Sequence, residues 1–112
     1  KASLYSTKEL YDSVYHEIGI PIVHDQHHHL FCTGNICQEE AMITAALTWG
    51  DITPVIHYSE SRPEEQNDPK IKPQAHSDYI YKKIETYGLD VDVMVEAKAK
   101  ERAVQRYKEI WK

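Results

Sequence analysis

At 112 residues and 41% apolar content, the chain can build one small domain with a modest core. No apolar run approaches the roughly 20 residues of a membrane span, which excludes a transmembrane helix. A formal charge of −5 and a pI near 5.8 argue against non-specific nucleic-acid binding by the chain alone, because phosphate contacts need clustered Lys and Arg.

The N-terminus, Lys1-Ala-Ser-Leu-Tyr5, has neither a Met nor a signal-peptide apolar core, and reads as the cut edge of a longer protein. Ser6-Thr-Lys-Glu9 has capping-box spacing, Leu10, Val14 and Ile18 follow at helical spacing, and Gly19 closes the helix. A first helix is predicted over about 7–18. Ile20 to Val23 is a short buried strand with Pro21 near its start. It runs into Asp25-Gln-His-His-His29, where the chain must curl out of the sheet if Asp25 and His28 are to meet.

Residues 30–37 read as a loop. Cys32 and Cys37 read as reduced thiols, with a disulfide or a zinc pair with the upstream histidines as alternatives. Nothing points to an oxidising compartment, and a cytoplasmic location is expected. Gln38 to Trp49 is a second helix with Ala41, Ala45, Leu47 and Trp49 on its face and Met42 and Ala46 beside it, stopped by Gly50.

Pro54 to Ser59 is a second strand, with Val55, His57 and Ser59 on one side. Residues 60–75, with three prolines and many charges, have the length of a binding loop or lid. Ser77 to Tyr87 is predicted as a third helix and Val91 to Ala97 as a third strand with Asp92, Met94 and Glu96 on one face. A last helix runs from about Lys98 to Ile110, with Ala103, Tyr107, Ile110 and Trp111 as its stripe.

Strands alternating with helices imply right-handed parallel crossovers, and such sheets carry their sites beyond the carboxyl ends of the strands. Asp25, His28, His57 and Glu96 all fall there. Three parallel strands cannot close, so the chain is expected to be part of a (β/α)8 barrel, or to pair its exposed edges with other copies as a homo-oligomer. Oxygen and imidazole ligands spread over several strands suit a multi-metal hydrolytic centre rather than a structural zinc site. His16 reads as a surface residue, and His24 as packed or in support of a ligand rather than a ligand itself. His27 and His29 stay open between ligand, support and loop, and His76 on pattern alone is as well a surface residue.

Four stretches, Gly19-Ile-Pro-Ile-Val-His-Asp-Gln-His-His-His29, Ile56-His-Tyr-Ser59, Ala75-His-Ser-Asp-Tyr-Ile80 and Asp92-Val-Met-Val-Glu-Ala-Lys98, together resemble the C-terminal part of the UV damage endonuclease family of the UvsE/UVDE type. The resemblance implies a TIM-type barrel related to apurinic endonuclease IV. It also implies a cluster of divalent metals without an organic cofactor, manganese being the usual assignment and zinc, cobalt or magnesium the alternatives. The implied activity is nicking of damaged double-stranded DNA 5′ of UV photoproducts, which starts an excision repair route. Carried onto this sequence, the metal ligands are Asp25, His28, His57, His76 and Glu96. Tyr58, Ser59 and Lys98 are placed in support of the ligands or in contact with DNA.

The family's usual lysine two residues before the second-strand histidine is here Val55, and its usual apolar residue before the aspartate is here His24. Another glutamate ligand and further histidines are expected on strands that precede Lys1, so the isolated chain is expected to be inactive. Two other readings compete: a xylose-isomerase-like sugar isomerase or epimerase barrel, and a non-catalytic oligomer that binds metal.

Overall fold

In the computed structural model, residues 6–31, 34 and 36–111 are described. The N-terminal Lys1–Tyr5 stretch and the pairing of Cys32 lie outside them; Cys37 is a free, exposed thiol. The order is α1 (Thr7–Glu9), a π-helical stretch (Leu10–Tyr15), α2 (His16–Ile18), β1 (His24–Asp25), α3 (Gln26–Phe31), α4 (Gln38–Leu47), β2 (Val55–Tyr58), α5 (Arg62–Gln66), β3 (Asp92–Val95) and α6 (Glu101–Ile110). The three strands form one sheet in the order β1-β2-β3. His24 pairs with Ile56 and Asp25 with His57 in parallel. Asp92 donates its N–H to Pro54 O at 2.8 Å, and Glu96 donates to Tyr58 O at 2.9 Å. These two bonds keep one parallel register, in which Glu96 stands opposite Ser59. The sheet is an incomplete parallel sheet of the (β/α)-barrel type.

The chain divides into two compact units, Lys1–His57 with Thr86–Met94 and Tyr58–Glu85 with Val95–Lys112. Both divisions fall inside a strand, after His57 in β2 and after Met94 in β3.

In the first unit the predicted capping box forms: Ser6 Oγ accepts the Glu9 N–H and Glu9 Oε1 accepts the Ser6 N–H, each at 3.1 Å. Gly19 ends α2 at φ 78°, a conformation that glycine takes without Cβ strain. Ile22, His24, Ala41, Met42, Ala45 and Ile56 are buried. Small Ala41 and Ala45 let α4 lie close to β1. The buried side of α4 is Ala41, Met42, Ala45 and then Thr48, while Leu47 is 67% exposed. At 3.6 residues per turn Leu47 lies about 120° round the helix from Ala41, off the buried side, which corrects the expected face.

The first strand is also later than expected. Residues 20–23 make no ladder, because Pro21 has no N–H and Ile22 is held elsewhere. Ile22 N–H donates to Thr48 Oγ1 and Ile22 O accepts from Trp49 Nε1, each at 2.8 Å. The turn after α4 thus ties down the entry to β1. The loop expected from residue 30 is helical to Phe31.

The second unit differs more. No helix forms at 77–87. Two glutamates on the preceding stretch take its backbone N–H groups. Glu65 accepts from Asp78 N at 2.8 Å and Tyr79 N at 3.0 Å, and Glu60 accepts from Tyr81 N and Lys82 N at 3.1 Å. Ile84 N–H donates to Tyr107 Oη at 2.9 Å. N–H groups bound to side chains cannot form a helix ladder. The 60–75 stretch, expected to be irregular, contains α5, with Pro63 in its first turn. Its Arg62 meets Asp78 at 2.5 Å. Helix α6 starts at Glu101 rather than Lys98 and buries Ala103, whereas Ile110 and Trp111 of the expected stripe are 51% and 40% exposed.

Candidate metal centre

Asp25 is the last residue of β1, and the helix begins at the next residue. One of its carboxylate oxygens accepts the His28 N–H at 2.9 Å, which caps α3. The predicted curl after Asp25 is therefore this strand-to-helix switch. A carboxylate at a helix N-terminus is also favoured by the helix dipole. The cap fixes the side chain's rotamer and leaves a second oxygen for chemistry.

His57 faces Asp25 across the ladder and is half-buried. Glu96 follows β3 directly, its N–H held by Tyr58 O. Asp25, His57 and Glu96 each offer a ligand atom, and the three atoms lie within 4.8 Å of one another. Among the described residues this is the single group of three or more such side chains so gathered. Two carboxylates and one imidazole are the donors that suit manganese, zinc, iron or cobalt, so the residues fit a divalent cation. The other side of the sheet carries His24, Ile56 and Tyr58, all buried, which leaves this side for polar work.

The remaining predicted ligands lie outside that group. His28 is on the first turn of α3, half-buried, with its backbone bound to Asp25. His76 bridges to Ser61 at the end of the 60–75 stretch. Tyr58 is buried on the opposite side of β2, its hydroxyl donating to Glu60 at 2.8 Å. Burial, reinforced by that bond to an anion, pushes its pKa up. Lys98 is exposed, its N–H donating to Ser77 O at 2.9 Å. Ser59 is 4% exposed.

Three of the other histidines, His24, His27 and His29, are buried. His24 is fully buried, and its ring lies 5.6 Å from that of His29. Burial, with the nearby His29 adding to it, pulls the His24 pKa down to about 4, so the ring is neutral at neutral pH. Burial lowers His29 as well, against a contact of 3.2 Å from its Nε2 to Ile36 O. His27 sets its ring against Phe31 at 5.1 Å. His16 is exposed and edges against Tyr11 at 4.8 Å.

Sequence reasoning missed Glu60 and Glu65. Burial raises the Glu65 pKa, but hydrogen bonds from Tyr81 Oη and the Asp78 and Tyr79 N–H groups outweigh it and bring the carboxyl down to about 2. Their signal was weak: acidic residues in a charged loop look alike until their partners are known.

A parallel sheet with helices between its strands, and carboxylates and an imidazole at the carboxyl ends, defines a segment of a (β/α)-barrel with a candidate metal centre. The sequence matches the UV-endonuclease UvdE family over residues 2–110, and the chain belongs to that family. No curated protein matches it. A solved structure, "Crystal Structure of SacUVDE", shares the fold with a TM-score of 0.77 at 24% sequence identity. The match covers 98% of this chain and 37% of that one, so the chain spans a little over a third of the length of that relative. Among the described residues no helix is long and apolar enough to cross a membrane.

Proposed function

We propose that this chain supplies part of the divalent-metal site of a UV damage endonuclease, which nicks damaged double-stranded DNA 5′ of photoproducts. The observation that carries the reading is the gathering of Asp25, His57 and Glu96 within 4.8 Å at the carboxyl ends of neighbouring strands. Family membership supports DNA as the substrate.

Asp25, His57 and Glu96 would hold the cation, with His28 and His76 as further ligands once the remaining strands of the barrel are in place. Manganese is the metal we assign, with zinc, cobalt and magnesium as competitors. When bound, such ions supply Lewis-acid stabilisation at phosphate oxygens and activation of water. The chain's own residues orient and restrain. The α3 cap fixes Asp25 and the ladder fixes His57 opposite it, and in this reading exposed Lys98 contacts a phosphate. The chain alone is inactive in this reading, because strands beyond it complete the site.

The test is nicking of UV-irradiated plasmid by the longer protein that carries this chain, with Mn(II), for wild type and Glu96→Gln. The reading requires cutting by the first and loss in the second. Equal cutting by both would remove Glu96 from the site.

A further inference from the structure

Ser59 is a buried hydroxyl whose place in the ladder has a chemical consequence. It is 4% exposed, and its Oγ has no hydrogen-bond partner among the described residues. Buried hydroxyls in folded proteins are normally hydrogen-bonded, because an unpaired one has lost its water without compensation.

The register gives one. The bonds from Asp92 N to Pro54 O and from Glu96 N to Tyr58 O place Ser59 directly opposite Glu96. Opposite residues in a sheet point to the same side, with Cβ atoms about 5 Å apart. Alternation along β2 puts Ser59 on the side of His57 and opposite that of buried Tyr58. Ser59 Oγ makes no bond to Glu96 as it stands, and a change of χ1 rotamer swings a serine Oγ toward the residue opposite it in the ladder.

We propose that Ser59 is a positioning residue for the cation site: its hydroxyl donates to the Glu96 carboxylate and fixes which oxygen turns toward the metal. The inference rests on the metal reading above. Carboxylate ligands are themselves hydrogen-bonded, and loss of such a support weakens metal binding by about 10–100-fold. Serine suits the position because its small side chain fits a buried site and offers one donor. Threonine keeps the hydroxyl, and alanine removes it at nearly the same volume.

The experiment is a Mn(II) titration by calorimetry of the chain as wild type, Glu96→Gln, Ser59→Ala and Ser59→Thr, with urea unfolding of each. A second readout is the Glu96 carboxylate carbon resonance in the metal-free chain. Binding in wild type that is lost in Glu96→Gln establishes the cation site independently of Ser59. The proposal then requires Ser59→Ala to bind about tenfold or more weakly at an unchanged unfolding midpoint. It also requires that variant to shift the Glu96 carbon signal, and Ser59→Thr to restore both. Wild-type affinity in Ser59→Ala overturns it. So does equal weakening in Ser59→Ala and Ser59→Thr with a lowered midpoint, which would make Ser59 a packing residue only.

Discussion

Asp25 stands directly opposite His57 in the parallel pair of β1 and β2, and the same Asp25 caps α3 through the His28 N–H at 2.9 Å. One carboxylate thus serves the fold and the candidate centre at once. The two roles separate by substitution. Asparagine caps helices as well as aspartate does, whereas alanine does not. Asp25→Asn should keep the unfolding midpoint and weaken Mn(II) binding. Asp25→Ala should lose the binding and about 1 kcal/mol of stability as well. Urea unfolding with calorimetry distinguishes them, and equal stability losses in the two variants would contradict the capping role.

The entry to β1 hangs on Thr48. Its buried hydroxyl accepts the Ile22 N–H at 2.8 Å and donates to Ala45 O at 2.6 Å. Thr48→Val keeps the shape and strands the Ile22 N–H, so a loss of about 1–3 kcal/mol is expected. Faster hydrogen exchange at Ile22 should accompany it. An unchanged midpoint would show that water takes over the bond.

His24 is fully buried, and the Gln38 amide lies beside its ring without a well-formed hydrogen bond to either nitrogen. An unsatisfied polar group is a cost rather than a support. His24→Leu should therefore be neutral or stabilising in urea unfolding. A loss of more than about 1 kcal/mol would mean that the ring makes a bond in solution.

Glu65 anchors the stretch from Asp78 to Tyr81, accepting from two backbone N–H groups and from Tyr81 Oη. Its folded pKa of about 2 lies below the ordinary 4.5, so the stabilisation is present above pH 4.5 and is lost as pH falls toward 2. Glu65→Gln should lower stability at neutral pH and flatten the acid limb between pH 4.5 and 2. An acid limb as steep as that of wild type would contradict the assignment.

The strand-helix order and the strand ends were legible because β2 and β3 are short β-branched runs with a ligand-type residue where each run stops. The α1 capping box was legible because it is a local pairing of Ser6 and Glu9. What failed was non-local. Residues 77–87 have helical spacing, but Glu60 and Glu65, more than ten positions away, take the N–H groups a helix would need. Ile22 likewise looked like strand until Thr48 and Trp49, 26 and 27 residues on, took its backbone groups. The candidate centre was partly legible. Period-2 alternation put His57 and Glu96 on polar faces, while the opposition of Asp25 to His57 depends on register, which no single strand encodes.

The central claim is that Asp25, His57 and Glu96 converge on one divalent cation. The most direct measurement is Mn(II) binding by calorimetry to the chain, wild type against His57→Ala and Glu96→Gln, with unfolding midpoints from the same preparations. Binding in wild type that falls at least about tenfold in each variant, with midpoints little changed, is the predicted result. Variants that lose stability yet bind Mn(II) as wild type does would contradict it, and would make the three side chains neighbours without a common ion.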